Sequence, residues 1–281
     1  MKARSVLRWL RTPKASLVAA LLVLVAAAAP GEGPGRITPQ LVVAMGAAAM
    51  VDLLLNRVRY GTVGFPDGAL ISGLLVAIVL IPGAPLAVAA LAAALAVASK
   101  FFLRTKQVHL FNPAALGLLL CLVLVPTGQS WWGSLTDLPW PAIVILLGCA
   151  GLTAYRVHRL PMMLAFLGIY FTIFALAALP LMGIIPRIAE IFRVPFLNAA
   201  IFLGGFMLTD PVTSPARPQE QVWFGAVAAV FSAVCFMTQT GMWFLLAGLL
   251  AANGWWAWRR TVAASLEAGD RSGWAGAVRG N

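Results

Sequence analysis

The sequence predicts an all-α polytopic membrane protein of about ten transmembrane helices, and three observations predict it. The chain is 61% hydrophobic and only 10% charged, with a mean hydropathy of +0.91, whereas a soluble domain carries about a quarter charged residues. Its apolar stretches are continuous and do not alternate, which reads as helices. Helices and closed barrels alone satisfy the backbone in lipid. Finally, the cations alternate from one connecting segment to the next, dense and then sparse. At roughly 20 residues per crossing, the 281 residues leave no room for a soluble domain, so 1–281 is one membrane domain.

The candidate spans are roughly 15–30, 38–55, 68–82, 84–99, 109–125, 140–155, 162–180, 195–209, 219–237 and 241–258. The first follows a basic start and is read as a retained helix, although a basic start, an apolar core and AAAAP also fit a cleaved signal. Lys2, Arg4, Arg8, Arg11 and Lys14 precede it. The even-numbered connections then carry Arg57 and Arg59; Lys100, Arg104 and Lys106; Arg156 and Arg159; and Arg217. The tail from 259 to 281 carries Arg259, Arg260, Arg271 and Arg279. Of 20 Lys and Arg, only Arg36, Arg187 and Arg193 fall in the odd-numbered connections. The positive-inside rule therefore places both termini in the cytoplasm of a multi-pass inner-membrane protein. It also accounts for the net charge of +11 without nucleic acid as a partner; the partner is the lipid bilayer. Trp131, Trp132 and Trp140 stand in a connection without cations and read as an outer interfacial belt.

Ten spans divide into a first repeat (1–130) and a second (131–258), and an odd number per half sets the halves in opposite orientation. Phe65-Pro66-Asp67-Gly68 opens span three from one side, and Val194-Pro195-Phe196-Leu197-Asn198 opens span eight from the other. Cys121, Cys149 and Cys235 lie far apart inside apolar runs, outside any CxxC pattern, and read as small buried residues. His109 and His158 lie at span boundaries and are not paired at mid-membrane as haem ligation requires.

The informative residues interrupt the apolar pattern at the cytoplasmic boundary. HLFNPAALG (109–117) sets Asn112-Pro113 at the start of span five, FMLTDPVTSP (206–215) sets Asp210-Pro211 at the end of span eight, and DGALISG (67–73) sets Asp67 at the start of span three. Asn and Asp are good N-caps and Pro is favoured at N1, so capping explains Asn112 and Asp67 as well as any ligand does. Asp210 follows a helix, where an acid is unfavourable. It either caps the turn 210–215 with Thr213 and Ser214 or marks a functional site. No nucleophile elbow, P-loop, HExxH or GxGxxG stands in the chain, and catalytic residues are not assigned.

These motifs resemble the NqrB/RnfD family, the membrane subunits of sodium-translocating NADH:quinone reductase and of the Rnf electron-transport complex. DGALISGLLVAIVLIP, FNPAALG, YRVHRLP, FLNAAIFLGGFMLTDPVTSP and QEQVWFGAVAAV stand in the family's order, over about residues 38–250. The resemblance implies a urea-transporter-like fold of two inverted five-helix repeats and a role in flavin-mediated electron transfer with redox partner proteins, with ion movement and quinone as further candidates. Family members carry FMN on a threonine in an S-G-A-T or similar motif. The corresponding loop here, VPTGQSWWGSLTDLPW (125–140), offers only Thr127 and Thr136 and lacks it, so covalent FMN is not expected. The resemblance also implies a non-covalent riboflavin or FMN at the cytoplasmic side. Asn112 and Asp210 would meet the ring's polar edge, with Thr209 and Asp67 beside them and Phe111 and Phe206 as walls. An amide donates and accepts, and a carboxylate accepts from the ring N3–H. With no NADH site or iron–sulfur ligands, the chain is at most one subunit of an oxidoreductase. The readings outside electron transfer are a small-solute transporter or channel on the same fold and a redox-inactive scaffold of a specialised pathway.

Overall fold

Prolines and short polar connections cut the chain into helices of unequal length. The computed structural model describes residues 12–104, 109–181, 186–238 and 241–278. Of the cations counted above, Lys2, Arg4, Arg8, Arg11, Lys106 and Arg279 lie outside the described residues. Within them are ten α-helices: α1 (Pro13–Glu32), α2 (Pro34–Tyr60), α3 (Asp67–Val79), α4 (Leu86–Phe102), α5 (Pro113–Leu124), α6 (Ala142–Arg156), α7 (Leu160–Leu181), α8 (Phe196–Phe202), α9 (Pro218–Thr238) and α10 (Phe244–Val278). A π-helical turn, Leu203–Met207, continues α8. Every predicted span coincides with a helix. The last helix runs on past 258 to Val278, because no Pro or Gly-rich turn stops it.

Four helices, α1, α2, α7 and α9, are long and apolar enough to cross a membrane, and α3, α4, α5, α6 and α8 with its π turn are shorter apolar helices. Large apolar side chains such as Val42, Leu164 and Leu179 face outward, as they must where the surroundings are lipid. The protein is a multi-pass helical membrane protein.

Small residues set the closest approaches. Gly117, the fifth residue of α5, faces α4 so tightly that a Cβ would stand 2.5 Å from the Ala92 carbonyl oxygen. Gly248, the fifth residue of α10, faces α9 in the same way, with a Cβ 2.6 Å from the Ala228 carbonyl oxygen. Helices α2 and α4 pack together in the first half, as α7 and α9 do in the second.

The short helices create a problem that the rest of the fold solves. The 13 residues of α3 rise about 20 Å, against a hydrocarbon core of about 30 Å. Past Val79 the chain is extended, and its freed carbonyls need donors. The Ala77 carbonyl accepts from Gln40 Nε2 (2.8 Å) and from Trp132 Nε1 (2.9 Å). The Val79 carbonyl accepts from the Ser130 and Trp131 amides (both 3.1 Å), and the Ile81 amide donates to the Gly128 carbonyl (3.2 Å). Gln40 also accepts from the Gly83 amide at 3.0 Å, so one fully buried amide serves both sides of the break.

This arrangement corrects the expected aromatic belt. Trp131 and Trp132 are 1% and 0% exposed, while Trp140 is 81% exposed. The 125–140 connection folds back against the end of α3, and two of its tryptophans fill the space the short helix leaves. Only Trp140 stands where an interfacial residue would.

Gln40→Leu leaves the Gly83 amide without its partner and the Ala77 carbonyl with one donor fewer. It is expected to cost about 1–3 kcal/mol, read as a lowered thermal midpoint of the detergent-solubilised protein.

Candidate functional site

Asn112, Asp210 and Asp67 all lie at one face, the face where α1 begins. Asn112 is the N-cap of α5: its Oδ1 accepts from the Ala115 amide at 3.1 Å, and Pro113 follows at N1. Its Nδ2 donates to the Met207 carbonyl (3.0 Å), where the π turn ends. Its backbone amide donates to Oδ1 of Asn253, 2.8 Å away in α10. Asn253 Nδ2 donates in turn to the Thr213 carbonyl at 3.2 Å. Two buried amides therefore join the start of α5, the first third of α10 and the turn after α8. Sequence reasoning passed over Asn253. Its one signal is an amide inside an otherwise apolar run, AANGWW.

Asp210 caps its own turn. Oδ1 accepts from the Val212 amide (3.1 Å), Oδ2 accepts from the Thr213 hydroxyl (3.2 Å), and its carbonyl accepts from the Ser214 hydroxyl (2.7 Å). Burial pushes the carboxyl above its ordinary range, and these two donors pull it back. Arg159, buried in the connection between α6 and α7, donates from Nε to Ser214 Oγ (3.3 Å). Gln221 Nε2, in α9, donates to the His158 carbonyl of the same connection (3.0 Å) and to the Ala216 carbonyl just before its own helix (2.8 Å). Thr209 is buried and donates to the Gly205 carbonyl (2.7 Å), inside the π turn. Phe206 is buried against Phe202, with ring centroids 4.9 Å apart. Phe111 lies beside Gly254 of α10.

Asp67 belongs to a separate cavity of about 230 Å³ at the same face, lined by Asp52, Asn56, Lys100, Arg104 and His109 among others. It is the first residue of α3, not the cap before it. Its carboxylate accepts from Lys14 Nζ and from the Gly68 amide, both at 2.7 Å. Lys100 reaches from α4 to donate to the Gly68 carbonyl (2.9 Å) and stands within electrostatic reach of Asp52, Asp210 and Asp67. His109 faces the cavity, and among the described residues its buried Nδ1 has no hydrogen-bond partner.

The structure thus brings Asn112, Thr209 and Asp210 together around the end of the π turn and sets Asp67 in the neighbouring cavity. Lys100 and His109 join that cavity as residues the motif reading did not assign. The arrangement can fix a rigid turn at the membrane boundary and offer mixed donors and acceptors beside it.

Fold and site together define a polytopic helical membrane protein with a polar node where broken helices end at one face. Residues 133–244 match the NQR2, RnfD, RnfE family, the family that the FNPA and TDPVTSP motifs resemble. The match runs from the tryptophan turn to the start of α10 and includes the π turn and the Asp210 turn. No curated protein matches the chain.

Asp210→Asn keeps an oxygen for one turn amide, whereas Asp210→Ser shortens the side chain. The first variant is expected to lose less than about 1 kcal/mol and the second about 1–2 kcal/mol, measured by thermal unfolding in detergent.

Proposed function

We propose that the protein is the membrane subunit of an Rnf/Nqr-like electron-transport system and passes electrons through a non-covalently held flavin at the face where α1 begins. The observation that carries this reading is the family match over the segment holding the Asp210 turn, joined through Asn253 and Asn112 to the FNPA helix. The positive-inside rule makes that face cytoplasmic. The recurring α4–α5 and α9–α10 contacts, with Gly117 and Gly248 at matching helix positions, support two inverted five-helix repeats.

The residues present suit a flavin in part. The imidazole of His109, with Lys100 and Arg104, offers a polar wall for a ring edge or a ribityl chain. The cavity of about 230 Å³ is below the roughly 300–1,000 Å³ of small-molecule sites, so it receives one end of the molecule. Asn112 and Asp210 hold the adjoining turn in place and present the boundary against which the ring lies. When bound, a flavin supplies one- and two-electron chemistry. The protein orients it, and partner proteins deliver and remove the electrons. The short 125–140 connection lacks the family's threonine motif, and the reading assigns no covalent FMN.

A second reading, a redox-inactive scaffold, is favoured by one observation: Asn112, Asn253 and Asp210 find their hydrogen-bond partners within the protein.

An absorption spectrum of the detergent-purified protein, before and after acid precipitation, separates the two. Electron transfer predicts a flavin band that moves to the supernatant and is lost in Asn112→Ala and Asp210→Ala. A flavin left in the pellet contradicts non-covalent binding, and a colourless protein from flavin-replete cells favours the scaffold.

A further inference from the structure

Helices α2 and α4 both end at the face where α1 begins, and their ends bring two cations to one ring. The guanidinium carbons of Arg59 and Arg104 stand 6.0 and 5.6 Å from the centroid of the Tyr60 ring. Tyr60 closes α2, and Gly61 after it caps the helix in the left-handed region. Arg59 Nη1 donates to the Phe101 carbonyl in the last turn of α4 at 2.7 Å. That bond ties the two helix ends together and uses one of the five N–H donors of the guanidinium. Arg104 stands just past the end of α4.

Among the described residues no acid balances this pair: the ion pairs are Lys14 with Asp67 and Arg217 with Glu220. The two carboxylates of the adjoining cavity are engaged, Asp67 accepting from Lys14 at 2.7 Å and Asp52 from Asn56 at 3.0 Å. Two cations gathered at one ring repel each other, and the ring face attracts each only weakly. An apolar rim supplies the second observation. Val42, Met50, Leu54 and Val58 recur at multiples of four on one exposed stripe of α2, so Val58 ends a lipid-facing surface. Phe65, before α3, and Phe102, at the end of α4, are each 74% exposed, although Phe is among the residues most often buried. Cations and apolar side chains thus share one patch at the membrane boundary.

We propose that Arg59, Tyr60 and Arg104 form a site for one anionic phospholipid of the leaflet at this face. The headgroup phosphate is held by the guanidiniums, and the glycerol and upper acyl chains lie against Val58, Phe65 and Phe102. The rim selects a lipid over a free phosphate, which would leave these side chains uncovered. Charge selects the headgroup: choline or ethanolamine would return a cation to a place that already holds two. The inference does not rest on the flavin reading, since Arg59 and Tyr60 lie outside the cavity given to it.

The test is native mass spectrometry of the full-length protein in detergent, offered equal amounts of phosphatidylglycerol and phosphatidylcholine with matched chains. The first lipid retained is expected to be phosphatidylglycerol, by about five- to twentyfold, the worth of one to two cations beside an anionic lipid. Arg104→Gln and Arg59→Gln are each expected to lower that ratio about fivefold; the glutamine in the second still offers a donor to the Phe101 carbonyl. If Arg59→Gln does not fold, Arg104→Gln decides. Arg156→Gln removes another exposed cation of the same face and is expected to leave the ratio unchanged. Equal retention of the two lipids overturns the proposal. So does a preference that Arg104→Gln leaves intact, or one that Arg156→Gln lowers as much. Displacement of the lipid by millimolar glycerol 3-phosphate identifies a site for free phosphate and also overturns it. The flavin absorption band is read on the same samples, so failure here and failure of the electron-transfer reading are seen separately.

Discussion

The constraint on which this fold turns is the set of backbone groups that short helices leave unpaired inside a membrane. A helix of 13 residues such as α3 stops well before it has crossed, and lipid supplies no donors to the carbonyls beyond its end. Gln40, Trp132 and the amides of Ser130 and Trp131 supply them. The 125–140 connection is therefore a structural plug, and its sequence is constrained by the end of α3 as much as by its own course. The same logic recurs at α8, whose π turn ends at Met207 and is met by Asn112.

The two breaks lead to different surroundings. At the end of α3 the gap is closed by two bulky tryptophans, with the Gln40 amide bridging the break. At the end of α8 the gap is closed by Asn112, Asn253 and the self-capped Asp210 turn, and next to them lies a cavity lined by Lys100, Asp67 and His109. A polar node of this kind is held rigid by several mutually supporting hydrogen bonds. A cofactor site needs such a rigid frame, since geometry has to be fixed before a ligand arrives. The match to the NQR2, RnfD, RnfE family, over residues 133–244, includes the Asp210 turn of this node.

Much of the architecture was legible in the sequence because helices in lipid announce themselves by apolar length, and because Pro and Gly mark their ends. Asn112 was legible as a cap from Asn-Pro alone. Asp210 was legible as one of two things, and the turn it caps is the first of them. Three features were not legible. Trp131 and Trp132 looked interfacial because tryptophan in a cation-poor connection usually is; their burial depends on where α3 stops, which no local pattern reports. Gln40 and Asn253 went unassigned, since their value lies in carbonyls 37 and 40 residues away. Lys100 counted as one more cation of a basic connection, yet its Nζ turns back to the start of α3.

Buried side-chain amides hold the broken helices together at the face where α1 begins. The most direct measurement is amide hydrogen exchange in Asn253→Leu against the unaltered protein. The Asn112 amide donates to Asn253, so the account predicts that peptides covering Asn112 and the 208–215 turn exchange about tenfold faster, the worth of one buried hydrogen bond. Peptides from α2, α3 and α4 should exchange as before. Unchanged exchange at Asn112, or an equal increase throughout the chain, would contradict it.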